Sequence, residues 1–244
     1  IPPKDSLVDN TTAVKVESLD PPDQVYATPN HPVLPHLLLW GPAGSGKTAL
    51  ARVTANELEK AYGYQPRFLS FTPLVLREDG TIEAILLKML DYGTVLFVDE
   101  IHSLPLMVEE ALYSCMQEGE FSSQYGIIKV PPFTLIGATT RAGQLQKPLR
   151  DRFTLELELT PTTQEDLIQI IQDQEKGVPA PTSFLEYHGQ EKIKLLLKLH
   201  IAALSQPVPD VELGEDIKEF IADRALGNPR IMKQIYHHII AYYK

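Results

Sequence analysis

Cysteine is nearly missing from this chain: Cys115 is the only one among 244 residues. That excludes an intrachain disulfide framework and fits a reducing, cytoplasmic setting. Cys115 falls on the apolar stripe of a predicted helix, where it reads as core packing. Long hydrophobic runs are missing as well. No apolar segment approaches the roughly 20 residues needed to span a bilayer, so no membrane association is expected. The opening "IPPKDSLVDN" has no apolar stretch of the kind a signal peptide carries. Positive charge is scarce: 22 Lys and Arg stand against 32 Asp and Glu, a formal net charge of −10. A chain that coats itself in nucleic acid is usually basic, so strong DNA binding by these residues alone is not indicated. A local basic patch in an oligomer stays open. Metal-ligand spacing is also absent. The seven histidines are scattered, and His237 and His238, being adjacent, do not share a helix face.

What is present is an ordinary globular composition, 43% apolar and 22% charged, in a chain long enough to bury a sizeable core. Residues 1–36 are rich in Pro, Asp and Thr and read as a loosely ordered lead-in. From Leu37 the pattern sharpens. "LLLW" predicts a buried strand, and "KTALARVTANELEKAY" (47–62) predicts a helix. Further strands are expected over 67–71, 94–100, 133–140 and 154–159, and a helix over 81–90. Val108, Ala111, Leu112, Cys115 and Met116 form one helical stripe. Strands alternating with helices imply α/β architecture with a parallel five-stranded sheet covered on both faces. After Thr160 strand signals stop. Residues 162–174, 191–204, 215–226 and 229–243 read as amphipathic helices, and 175–189 as a loop. The division expected is therefore lead-in (1–36), α/β domain (37–160) and small all-helical domain (161–244).

"GPAGSGKT" (Gly41, Pro42, Ala43, Gly44, Ser45, Gly46, Lys47, Thr48) matches the P-loop pattern in full, between a strand and a helix. Its glycines let backbone N–H groups turn inward around phosphates, at the positive end of the following helix. Lys47 should reach the outer phosphates of ATP, and the Thr48 hydroxyl should ligate Mg²⁺. In "VLFVDE" a buried strand ends in two acids. Asp99 would hold Mg²⁺ through its water shell, and Glu100 would polarise the attacking water. Alternation along a strand would send the two acids different ways. His102, just beyond, reads as a local hydrogen-bond partner.

"DEIHSL", "TLIGATTRAG", "PLRDRF" and "GNPRI" together resemble the AAA+ ATPase core of the RuvB family of Holliday-junction branch-migration motors, over about Leu37 to Ile231. The resemblance implies a P-loop AAA+ domain followed by a helical lid, acting in a ring, a hexamer, on duplex or branched DNA. It implies that Thr140, or failing that Thr139, senses the γ-phosphate. It implies that Arg152 is an arginine finger acting on ATP of the neighbouring subunit, and that Arg230, at the head of a lid helix, points back at the phosphates. Arg150 is expected to be structural or interfacial. The chain departs from the family in several places. No adenine-holding opening is recognisable in 1–36, and the segment after Met116 is shorter than the hairpin that grips the partner RuvA. The lid is longer around 173–207, and with only 14 residues after Arg230 the family's winged helix is expected to be missing, either lost naturally or cut away. These departures weaken the expectation of a RuvA-type partner. They also keep open a second reading, an ATP-driven loader or remodeller of a protein partner. A monomeric nucleotide kinase or switch is a third, and it would have no use for Arg152 in trans.

Overall fold

The computed structural model describes residues 31–77, 81–88, 91–123, 126–204 and 214–225. The predicted helix over 229–243 and Arg230 lie outside them, as does most of the lead-in.

Five parallel strands form the main sheet: β1 (Leu37–Trp40), β2 (Phe68–Phe71), β3 (Val95–Val98), β6 (Thr134–Thr139) and β7 (Leu155–Glu158). Their spatial order is β2-β3-β6-β1-β7. A second, two-stranded antiparallel sheet pairs β4 (Glu120–Ser123) with β5 (Gly126–Lys129). The helices are α1 (Lys47–Tyr62), α2 (Pro73–Leu76), α3 (Thr81–Lys88), α4 (Leu106–Glu118), α5 (Lys147–Arg150), α6 (Gln164–Glu175), α7 (Glu191–Ala203) and α8 (Glu215–Ala225).

The near-continuous apolar runs of β1, β3 and β6 are what a strand covered on both faces requires. Alternation along them divides the core in two. Leu38, Leu96, Val98 and Leu135 face one side, where they meet Leu112 and Cys115 of α4 and Ile85 and Leu86 of α3. Leu37, Leu39, Val95, Phe97, Ile136 and Ala138 face the other, against Leu50, Val53 and Leu58 of α1. Leu197 and Ile201 of α7 join this second cluster, so a helix from beyond Thr160 packs on the same core as α1. β7 stands at the sheet edge and alternates buried with exposed residues along LELE.

α1 stops where its sequence says it should. Gly63 adopts the left-handed conformation (φ 70°) and its N–H donates to the Glu59 carbonyl at 2.8 Å. At the other end Gly46 is left-handed too (φ 85°), and no side chain caps the first turn. The structure differs from the sequence expectation in two ways. The strand expected over 94–100 ends at Val98, and Glu100 turns into the left-handed region (φ 46°, ψ 44°) at a short 3-10 turn, Ile101–Ser103. The directions of Asp99 and Glu100 therefore come from a backbone turn, not from strand alternation. The second difference lies in α2 and the β4–β5 pair. Each is only four residues per element, too short for periodicity to signal.

Candidate nucleotide site

The sheet order places the site. β1 leads into the P-loop, β3 into Asp99 and Glu100, and β6 into Thr139 and Thr140. Because β6 lies between β1 and β3, three segments far apart in sequence end side by side at one edge. Trp40 pairs with Thr139, and the Gly41 N–H continues that ladder by donating to the Thr139 carbonyl at 3.2 Å. A crevice outside the carboxyl ends of parallel strands is where open α/β sheets bind ligands.

Within the P-loop, Pro42, Ala43, Gly44 and Thr48 are exposed, while Gly41, Ser45 and Lys47 are buried. Gly41 holds φ 155° with its Cα against the Leu159 carbonyl, where no side chain fits. Gly44 and Gly46 take φ 76° and 85°. These three glycines give the loop the backbone that turns N–H groups inward. The uncapped first turn of α1 adds its own free donors and its positive end. Lys47 is buried, and its ammonium donates to the carbonyls of Gly41 (3.0 Å) and Pro42 (2.8 Å). A cation is thus held inside the loop it serves.

Glu100 is tied to the end of β6. Its carboxylate accepts the Thr140 N–H at 3.3 Å and the Thr140 hydroxyl at 3.2 Å. His102 Nδ1 lies 3.2 Å from the same carboxylate and 2.9 Å from Thr139 Oγ1. Thr139 Oγ1 also accepts the Arg141 N–H at 2.9 Å. The two threonines therefore divide: Thr140 faces Glu100, and the fully buried Thr139 braces His102 and the turn after β6. Asp99 accepts the Glu100 N–H on Oδ1 at 3.0 Å, while its own N–H extends the ladder to Phe71. The Thr48 hydroxyl and the Asp99 carboxylate are both hard oxygen donors, the donor type Mg²⁺ takes.

Arg152 follows α5 and leans on α4. Its guanidinium lies over the Tyr113 ring, 4.5 Å from the centroid, and donates to Gln117 Oε1. Asp151, its sequence neighbour, is not its partner among the described contacts. Arg150 makes a two-pronged pair with Glu156 of β7, at 2.9 and 2.7 Å, and this bonding raises its already high pKa. Glu109 on α4 is buried, which raises its carboxyl pKa, while the N–H of Gln146 at the head of α5 pulls the other way.

Sequence reasoning missed Tyr187. The stretch 175–189 read as a loop, and it is one, but its end packs on the P-loop: the Tyr187 hydroxyl donates to the carbonyls of Gly46 (3.2 Å) and Ser45 (3.5 Å). The apolar "FLEY" inside that polar stretch was the signal available. Among the described residues no group of His, Cys, Asp and Glu is placed to hold a metal on its own, and no helix is long and apolar enough to cross a membrane.

Comparison with known proteins agrees with this geometry. A family model described as the Holliday junction DNA helicase RuvB P-loop domain matches residues 25–159, more than half of the chain. The Holliday junction branch migration complex subunit RuvB of Latilactobacillus sakei is 46% identical over 147 residues, covering 57% of this chain and 42% of that protein. The subunit of the same name from Phytoplasma mali is 43% identical over 214 residues, covering 84% and 53%. Among solved structures, a variant of Thermotoga maritima RuvB aligns at TM-score 0.51 and 37% identity, over 82% of this chain and 53% of that one. The Thermotoga maritima RuvB branch migration motor aligns at TM-score 0.50 and 31% identity, over 84% and 62%. The chain spans about half the length of the curated relatives it matches. The P-loop, the acids after β3, the threonines after β6 and the matched span carry one conclusion: the chain belongs to the RuvB P-loop domain family.

Proposed function

We propose that this P-loop nucleotide-binding domain hydrolyses ATP within a ring of identical subunits, a hexamer, and that the lid beyond Thr160 turns hydrolysis into movement of branched or duplex DNA. The observation that carries the chemistry is the bond from Thr140 to Glu100 at the mouth of the P-loop. It holds a carboxylate by two donors, ready to orient and polarise a water. Backbone N–H groups of Gly44, Ser45, Gly46, Lys47 and Thr48 cradle the phosphates. Lys47 exchanges its two loop carbonyls for phosphate oxygens. Thr48, and Asp99 through a water shell, would hold Mg²⁺, which would neutralise phosphate charge. Thr140 keeps Glu100 in line and reports on the terminal phosphate. Arg152 is presented by α4 to the nucleotide of the adjacent subunit, where a guanidinium offsets charge on the transferring phosphoryl group. The family resemblance adds Arg230 as a further contact to the phosphates.

The DNA assignment is supported by the relatives, each described as a subunit of the Holliday junction branch migration complex. The test is the steady-state ATPase rate with and without four-way-junction or duplex DNA, with Glu100→Gln as control. Stimulation by DNA that disappears in Glu100→Gln is the expected result. A rate that is measurable but indifferent to DNA would point instead to a loader or remodeller acting on a protein partner.

A further inference from the structure

The segment 182–190 lies between α6 and α7 yet is fastened to the P-loop side of the molecule. The Thr182 carbonyl accepts Asn56 Nδ2 at 3.3 Å and Lys60 Nζ at 3.5 Å. The Phe184 N–H donates to Glu57 Oε1 at 3.1 Å, and the Phe184 ring is buried. All three partners are on α1. At its far end the segment is held by the helices around it. His188 Nε2 lies 2.8 Å from Asp173 Oδ2 on α6, and the buried Lys194 ammonium of α7 donates to the Tyr187 carbonyl at 2.7 Å. Tyr187 itself is 6% exposed. Burial raises its hydroxyl pKa to about 12, so the group stays protonated and donates.

What it donates to decides its role. Its two acceptors are the carbonyls of Ser45 and Gly46. A peptide unit is planar and trans, so a carbonyl pinned on one side fixes the next N–H on the opposite side. The N–H groups opposite these carbonyls belong to Gly46 and Lys47, in the stretch where a P-loop's inward donors meet the phosphates. Gly46 is left-handed, and a Cβ there would collide with the Tyr187 hydroxyl, so the close approach itself demands glycine.

We infer that Tyr187 is a positioning residue for the P-loop: its hydroxyl orients the Gly46 and Lys47 N–H donors toward nucleotide phosphate and, through Lys194, ties them to lid helix α7. This rests on the P-loop being a nucleotide site. Lid displacement then alters nucleotide affinity through one phenol, and nucleotide binding resists lid displacement by the same coupling.

The test measures affinity for ADP carrying an N-methylanthraniloyl fluorophore, together with kcat, KM and nucleotide-free melting. The proteins are the unaltered chain, Tyr187→Phe, Tyr187→Leu and Lys194→Met, with Lys47→Ala as the binding-deficient control. Tyr187→Phe keeps the ring and loses the hydroxyl. It should weaken nucleotide affinity by about three- to tenfold, the value of one modest hydrogen bond, and raise KM more than it lowers kcat. Nucleotide-free melting should stay near that of the unaltered chain. Lys194→Met should weaken affinity in the same direction. If Tyr187→Phe binds as tightly as the unaltered chain while Tyr187→Leu melts lower, Tyr187 is packing alone and the inference falls. If Tyr187→Phe weakens binding and Lys194→Met does not, the tie to α7 is refuted. Failure of the unaltered chain itself to bind would overturn the nucleotide reading instead.

Discussion

Thr139 and Thr140 are neighbours of the same type, and substitution to Val should damage the protein in two different ways. Val keeps the shape of Thr and removes only the hydroxyl. At Thr140 the loss is one bond to the Glu100 carboxylate, at 3.2 Å, while the backbone N–H at 3.3 Å remains. The Glu100 side chain is 42% exposed, so water replaces the missing donor and folding stability should change by about 1 kcal/mol or less. Hydrolysis is different, because Glu100 must hold its direction during the reaction. A tenfold or larger fall in kcat, about 1.4 kcal/mol of barrier, is expected with nucleotide affinity little changed. At Thr139 the hydroxyl is sealed, and its removal takes the acceptor from the Arg141 N–H and one contact from His102 Nδ1, which keeps the Glu100 carboxylate at 3.2 Å. The part-buried Arg141 N–H left without that acceptor costs about 1 kcal/mol. Thermal melting should drop by roughly 2–4 °C for each kcal/mol lost in a chain of this size. Paired measurements of kcat and melting temperature on the two variants decide the matter. A Thr140→Val protein with unaltered kcat, or a Thr139→Val protein that melts normally but cannot hydrolyse ATP, would refute the division of roles.

Arg152→Ala and Lys47→Ala should each be inactive alone and regain part of the ATPase rate when mixed, because one supplies a P-loop and the other a finger. Native mass spectrometry confirms that the two co-assemble. Gly137→Ala should destabilise the fold by about 1–3 kcal/mol in urea titration: a Cβ there would sit 2.9 Å from Ile101 Cδ1 and 3.1 Å from Phe153 Cζ. Acid should act through His36. Burial lowers its pKa to about 4, against 6.5 in the unfolded chain, and its Nδ1 accepts the Leu135 N–H at 2.9 Å. Between those values the unfolded chain binds the extra proton, so this contribution is complete above pH 6.5 and is lost as pH falls toward 4. Urea stability should drop by about 2 kcal/mol from pH 7 to pH 5 on this account, and His36→Asn should flatten that slope.

The sequence made the core of the site legible because its chemistry is local. Eight consecutive residues specify the P-loop, and four apolar residues followed by two acids mark β3 and its exit. α1 shows both its period and its terminal glycine. Thr139 and Thr140 were harder to separate. Which of two adjacent hydroxyls meets Glu100 depends on where β6 ends and how the chain turns at Thr140, and no one-dimensional pattern encodes that. Arg152 could be picked out by resemblance, but its seat over Tyr113 and against Gln117 joins the turn after α5 to α4, a contact far apart in sequence. Tyr187 was hidden for a related reason. It works across 141 residues of separation, from a segment whose Pro, Gly and Ser content says only "loop".

The insertion of β6 between β1 and β3 also has a price in time. The P-loop and the acidic pair are not brought together until Thr134–Thr139 is available, about a hundred residues after β1 begins. Parallel pairings across such separations close large loops and form slowly. During synthesis, a nascent chain holding the whole P-loop motif would still lack the strand that aligns it. Nucleotide should therefore stabilise mainly a chain whose central strand is already in place.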